Sequence, residues 1–219
     1  MHNLALNQPE RLQRVLCIGA HCDDIEIGCG GTLLALLAGN PHLAVDWVAF
    51  SSDPAREREA RASAADFLGG GKGHRVMIEK FRNGYFPSVA ADIKDYFEKL
   101  KATSRPDLIF THHRGDFHQD HRVLGELTWN TFRNHLILEY EIPKYDGDLG
   151  RPNVFVPLAD EFRARKVDLV LRHFASQQDK QWWSAETFNA LMRLRGIECN
   201  AASGYAEAFF GAKLVLQPH

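Results

Sequence analysis

Apolar residues recur along the first half of the chain in short runs separated by amphipathic or charged stretches. Segment 14–20 (RVLCIGA) is continuously apolar and closes in small residues, the pattern of a strand buried on both faces. A Gly-rich turn follows, and 31–38 reads as a helix. Segment 45–51 (VDWVAFS) is a second strand. A charged, alanine-rich helix opens at Asp53 or Pro54 and runs to Leu68, where Gly69, Gly70 and Gly71 stop it. A strand over 75–80, a helix over 89–102, a strand over 107–111 and a helix from about Asp120 to Arg133 continue the alternation. Later elements are less regular: a short strand at 153–156, helices at 159–174 and 185–195, and a closing strand at 206–216. The connection 139–153 (EYEIPKYDGDLGRPN) reads as a long polar loop. Strand and helix in alternation predict an α/β fold. Its mostly parallel sheet is flanked by helices, with a less regular C-terminal portion, in one domain over 1–219.

Charge narrows the partners. Lys and Arg number 26 against 28 Asp and Glu, a net charge of −2, which leaves no basic excess for nucleic acid or an anionic membrane. No apolar run reaches the roughly 20 residues of a spanning helix. Residues 1–14 lack the apolar core and cleavage site of a signal peptide. Four cysteines do not make a disulfide scaffold, so a cytoplasmic location is expected. Eleven histidines are the unusual feature, several of them close together.

In such sheets ligands bind beyond the carboxyl ends of the strands. Those positions hold His21-Cys22-Asp23-Asp24, then 53–58, then 112–121. Two adjacent carboxylates leaving a buried strand must be neutralised. A divalent cation does this if a histidine and one carboxylate ligate it while the other accepts a proton from water; a helix N-cap is the plainer reading. In His118-Gln119-Asp120-His121, the histidines fall three apart on one face of a first helical turn, and Asp120 can accept from an imidazole. Surface histidines are the plainer reading there. Together the clusters make an N/O donor set with three protein ligands and an open position, the pattern of a catalytic zinc site.

The run 20–32 (AHCDDIEIGCGGT) resembles the first signature of the LmbE-like family, which includes the N-acetylglucosaminyl-phosphatidylinositol de-N-acetylases (PIG-L), and 115–122 (GDFHQDHR) resembles its second. The resemblance implies a Rossmann-like fold and a metal-dependent N-deacetylase acting on an amino sugar or sugar conjugate. It assigns His21, Asp24 and His121 to one Zn2+ per chain, other divalent metals being possible. Asp23 would be the general base, His118 the acid or electrophile with Asp120 orienting it, and Arg56 a substrate contact. The chain departs from the family at Cys22 and Gln119, where prolines are usual, so looser loops are expected, and Cys22 becomes an alternative metal ligand or oxidation target.

Weaker candidates surround these. His112 and His113 end a strand and read as packed or supporting histidines, and Asp116 as a support for the histidines. Tyr140, Lys144, Asp146 and Asp148 of the long loop are substrate candidates, while Trp182, Trp183, Tyr205 and Glu207 read as structural. The expected partner is a small amino-sugar substrate, with a homo-oligomer possible. Two rival functions stand beside the hydrolase. A Rossmann-type nucleotide or S-adenosylmethionine enzyme conflicts with the missing G-x-G-x-x-G and the acidic loop. A non-catalytic metal or sugar binder leaves Asp23 without a task.

Overall fold

The apolar runs become adjacent parallel strands, and the central ones bury both faces because two different cores need their alternate side chains. The computed structural model describes residues 11–215. Strand β1 (Arg14–Gly19) lies at the centre, with β2 (Ala44–Ala49) and β3 (Arg75–Ile78) on one side and β4 (Leu108–His112) and β5 (Leu136–Tyr140) on the other, all parallel. Antiparallel β7 (Ala206–Gly211) extends this edge, and β6 (Val154–Pro157) pairs antiparallel with β7, completing the order β3-β2-β1-β4-β5-β7-β6. Val15 and Cys17 of β1 enter one core with Trp47 and Phe110, while Leu16 and Ile18 enter the other with Val48 and Ile109. Helices α1 (Asp24–Gly39), α2 (Pro54–Leu68), α5 (Asp160–His173) and α6 (Ala185–Glu198) cover the first core; α3 (Ala90–Thr103) and α4 (Gln119–Thr131) cover the second.

Two sequence expectations change. The Gly-rich turn before residue 31 is the first half of α1, which starts at Asp24. Its glycines admit neighbours: a Cβ on Gly28 would lie 2.2 Å from the Tyr140 ring, and one on Gly31 would lie 2.6 Å from Leu158. The second change is β5, whose last residues, Glu139 and Tyr140, fall inside the expected polar loop. Glu139 is buried there because His113, Arg114 and Trp129 all bond its carboxylate. The closing strand ends at Gly211, and its predicted last residue, Leu216, lies outside the described residues.

Helix caps set which side chains stand just beyond the strands. Asp53 caps α2 by accepting from Ala55 N (2.8 Å) and Arg56 N (3.0 Å), with Pro54 at the first helical position and Gly69 in the left-handed conformation (φ 62°) at the far end. This cap places Arg56 in the first turn, beside the carboxyl end of β1. Glu207 anchors α1 by accepting from Gly31 N and Thr32 N, with Lys166 against it at 2.5 Å. Trp183 is buried between Phe174 and Phe188. Among the described residues, no helix is long and apolar enough to cross a membrane.

Candidate metal centre

His21, Asp24 and His121 come from three different places: the turn after β1, the first residue of α1 and the first turn of α4. Their donor atoms converge. His21 Nδ1 lies 3.2 Å from His121 Nε2 and 3.3 Å from Asp24 Oδ2, and His121 Nε2 lies 3.7 Å from Asp24 Oδ1. Ligands about 2.0–2.1 Å from a tetrahedral zinc stand about 3.3 Å from one another. His121 Nδ1 bonds Asp116 Oδ2 at 2.9 Å, so with the proton on Nδ1 the Nε2 lone pair faces the other two donors. These donors lie close together and are almost wholly buried, and their chemistry fits a divalent cation. His118 and His112 border the cluster. Among the described residues, two triads bring one donor atom each within 4.8 Å of one another: His21, His118 and His121, and Asp24, His112 and His121; the expected set takes His21 from the first, Asp24 from the second and His121 from both.

The electrostatics follow from burial and proximity. Burial alone would lower His21, but Asp24, Asp120 and Asp23 outweigh it and hold the imidazole up at about 10. Burial and the neighbouring His112 push His121 down to about 3. Burial and the charge of His21 also lower His118. Burial works to raise Asp24, yet the surrounding imidazoles His121, His112 and His21 hold it well below the ordinary carboxylate range.

Asp23 stands next to the donors with its Oδ1 bonded by Arg56 Nη2 at 2.7 Å, both side chains mostly buried. Arg56, expected to meet substrate, therefore has a partner within the protein. Asp120 is held differently from the expectation. Its carboxylate accepts from Gly84 N (2.6 Å) and Phe86 N (3.1 Å) and approaches His21 Nε2 at 3.5 Å, so its contacts run to the 84–86 loop and His21 instead of to the His118 ring. Gln119 bonds Gly84 O and ties the same loop to α4. His118 is the N-cap of α4, its Nδ1 accepting from Asp120 N at 3.2 Å.

Three weaker expectations are corrected. Cys22 is buried with Sγ bonded to Ser51 O at 3.3 Å, and burial pushes its thiol up to about 12, so it offers no thiolate to a metal or an oxidant. Tyr140 is fully buried and donates its hydroxyl to Ile18 O at 2.5 Å, out of reach of a substrate. Lys144 and Asp148 are paired at 2.6 Å, while Asp146 is exposed. The residue that sequence reasoning undervalued is His112, fully buried with Nε2 3.1 Å from Asp24 Oδ2. Its place at the carboxyl end of a strand adjacent to β1 was the available signal.

The family model for PIG-L, GlcNAc-PI de-N-acetylase, matches residues 16–132, more than half of the chain and every residue of this cluster. The chain belongs to the PIG-L family. That membership places it among the de-N-acetylases, hydrolases that act on amides. YaiS of Escherichia coli strain K12, described as an uncharacterized deacetylase, is 26% identical over 179 residues, covering 77% of this chain and 94% of YaiS. The N,N'-diacetylchitobiose deacetylase of Pyrococcus horikoshii superposes with a TM-score of 0.68 at 21% identity, over 94% of this chain and 86% of that one. GalB, the 4-carboxy-2-hydroxymuconate hydratase of Pseudomonas putida KT2440, superposes at 0.70 with 15% identity, over 95% and 99%. These two likenesses show the fold alone, which a deacetylase and a hydratase share.

Proposed function

We propose that this protein is a zinc-dependent hydrolase that removes the N-acetyl group from an N-acetylglucosamine-type sugar or sugar conjugate, yielding the free amine and acetate. The observation that carries the reading is the convergence of His21, Asp24 and His121 beside a carboxylate, Asp23, that is not among the three donors. A divalent cation held by His21, Asp24 and His121 would supply Lewis acidity toward an amide carbonyl and bring the pKa of water toward about 7. Asp23 takes the proton from water, its carboxylate oriented by Arg56. His118, at the rim of the cluster, would return to the departing amine the proton that water gives up to Asp23. Asp120 positions the 84–86 loop against His21 and α4. A nucleotide phosphate has no comparable seat, because the start of α1 carries Asp23, Asp24 and Glu26.

The test is metal content per chain by elemental analysis in wild type, His121→Ala and Asp23→Asn, with acetate release from N-acetylglucosamine and its oligomers. About one zinc per chain is expected in wild type and Asp23→Asn and almost none in His121→Ala. Acetate release should stop with chelator, return with zinc, and fall about 10²- to 10⁴-fold in Asp23→Asn. Zinc retained in full by His121→Ala overturns the ligand set. A zinc-loaded protein that releases no acetate from any N-acetyl sugar overturns the reaction.

A further inference from the structure

Lys144 lies in the connection after β5, far in sequence from either histidine cluster, yet its ammonium is buried beside them. Its side chain is only 9% exposed. Nζ lies 3.0 Å from Asp116 Oδ2 and 2.8 and 2.6 Å from the two oxygens of Asp148. Ile142 O is a further, longer contact at 3.4 Å. An ammonium has three donors, which go to the two oxygens of Asp148 and to Ile142 O, and Asp116 pairs with its charge, so Lys144 is not free to hold a substrate group.

Asp116 is the hub. Its Oδ2 forms an ion pair with the Lys144 ammonium at 3.0 Å and a hydrogen bond with His121 Nδ1 at 2.9 Å, while Oδ1 accepts the backbone N–H of His118 at 2.7 Å. One carboxylate thus sets the ring of one histidine and the backbone of the other. Asp148 closes the arrangement by accepting from Phe117 N at 2.7 Å, so that the 141–150 connection is tied to the 113–118 loop directly as well as through the Lys144–Asp116 pair. A histidine ligand is useful to a metal only when its second nitrogen is held in the right tautomer and orientation. For His121 that hold is Asp116, and Lys144 pairs with the same Asp116 oxygen that holds the ring.

We infer that Lys144 is a positioning residue for the metal centre: through Asp116 Oδ2 it keeps Nε2 of His121 turned toward His21 and Asp24, and so sets the affinity for the cation. This rests on the ligand set proposed above. The experiment measures the zinc dissociation constant by competition with a chromophoric chelator for wild type, Lys144→Met, Asp116→Asn, the double variant and His121→Ala. Lys144→Met should weaken zinc binding by about 10- to 100-fold, the range for lost outer partners of a histidine ligand. In the Asp116→Asn background the same substitution should change little, because the path through Asp116 is already cut. Wild-type affinity in Lys144→Met overturns the inference, as does an undiminished effect in the double variant, which a purely structural lysine would produce. If Lys144→Met does not fold by circular dichroism, Asp148→Asn takes its place: weakened zinc binding supports the inference and unchanged binding overturns it. Zinc retained by His121→Ala would instead remove the ligand set itself, which separates the two failures.

Discussion

Cys22 sits one residue from the first metal donor and shows how little proximity in sequence says about a side chain. Its thiol turns to Ser51 O, away from the donors, and is held protonated by burial. Cys22→Ala should therefore leave the zinc content unchanged by elemental analysis, and native wild-type protein should resist iodoacetamide at this position, read by mass spectrometry after denaturation. Labelling of Cys22 in the folded protein would contradict the placement. His118 and His121 were legible as neighbours, because three residues within a helical turn fix their relation. Their supports were legible only in part. Asp116 lies five residues before His121 and could be named, whereas Lys144 and His112 reach the cluster through strand pairing that no local pattern contains.

Among the elements, α1 and β5 depend on each other. The glycines of α1 look like a turn because glycine usually breaks helices, at about 1 kcal/mol each relative to alanine. They are kept because β5 and its Tyr140 ring lie against the helix, with the Tyr140 hydroxyl pinned to Ile18 O. Gly28→Ala gains helix propensity but drives a methyl into a ring that cannot move aside. We expect a net loss of about 1–3 kcal/mol in urea unfolding of the full chain, the usual cost of overpacking. Equal or greater stability would mean that the ring yields. The register of α1 also carries the chemistry, since beginning the helix at Asp24 puts that carboxylate at its first turn with His21 N bonded to Oδ2 at 2.6 Å.

For the molecule as a whole, the two ends of the sheet do different work. The carboxyl ends of the strands carry the donors, and the opposite end is tied by Asp46 of β2. That carboxylate is fully buried and accepts from Arg14 of β1 (2.7 Å), Arg75 of β3 (2.5 and 2.7 Å) and Ser104 (2.5 Å). Burial opposes its ionisation, but Arg75 and Ser104 outweigh that and lower its pKa below the ordinary value. A depressed folded-state pKa contributes stability that is present above the unfolded value of about 3.8 and is lost as pH falls through the folded one. Asp46→Asn should cost about 2 kcal/mol near pH 7 and progressively less below about pH 4, measured as the difference from wild type in denaturant titrations. A gap that stays constant with pH would show that the charge of Asp46 is not what matters.

What the sequence by itself determined was the alternation of buried strands and helices, the sheet edge on which chemistry gathers, and the two histidine–aspartate clusters. Each of these is written in local spacing, because strand period, helical turn and adjacent charge need only a few neighbouring residues. The tertiary structure decided what local spacing cannot. It turned a glycine run into a helix by packing Tyr140 and Leu158 on it, buried Glu139 by supplying three partners, paired Arg56 with Asp23, and brought Lys144 to Asp116. In each case the deciding contact joins residues from different elements, and its energy exists only once the sheet has set those elements side by side.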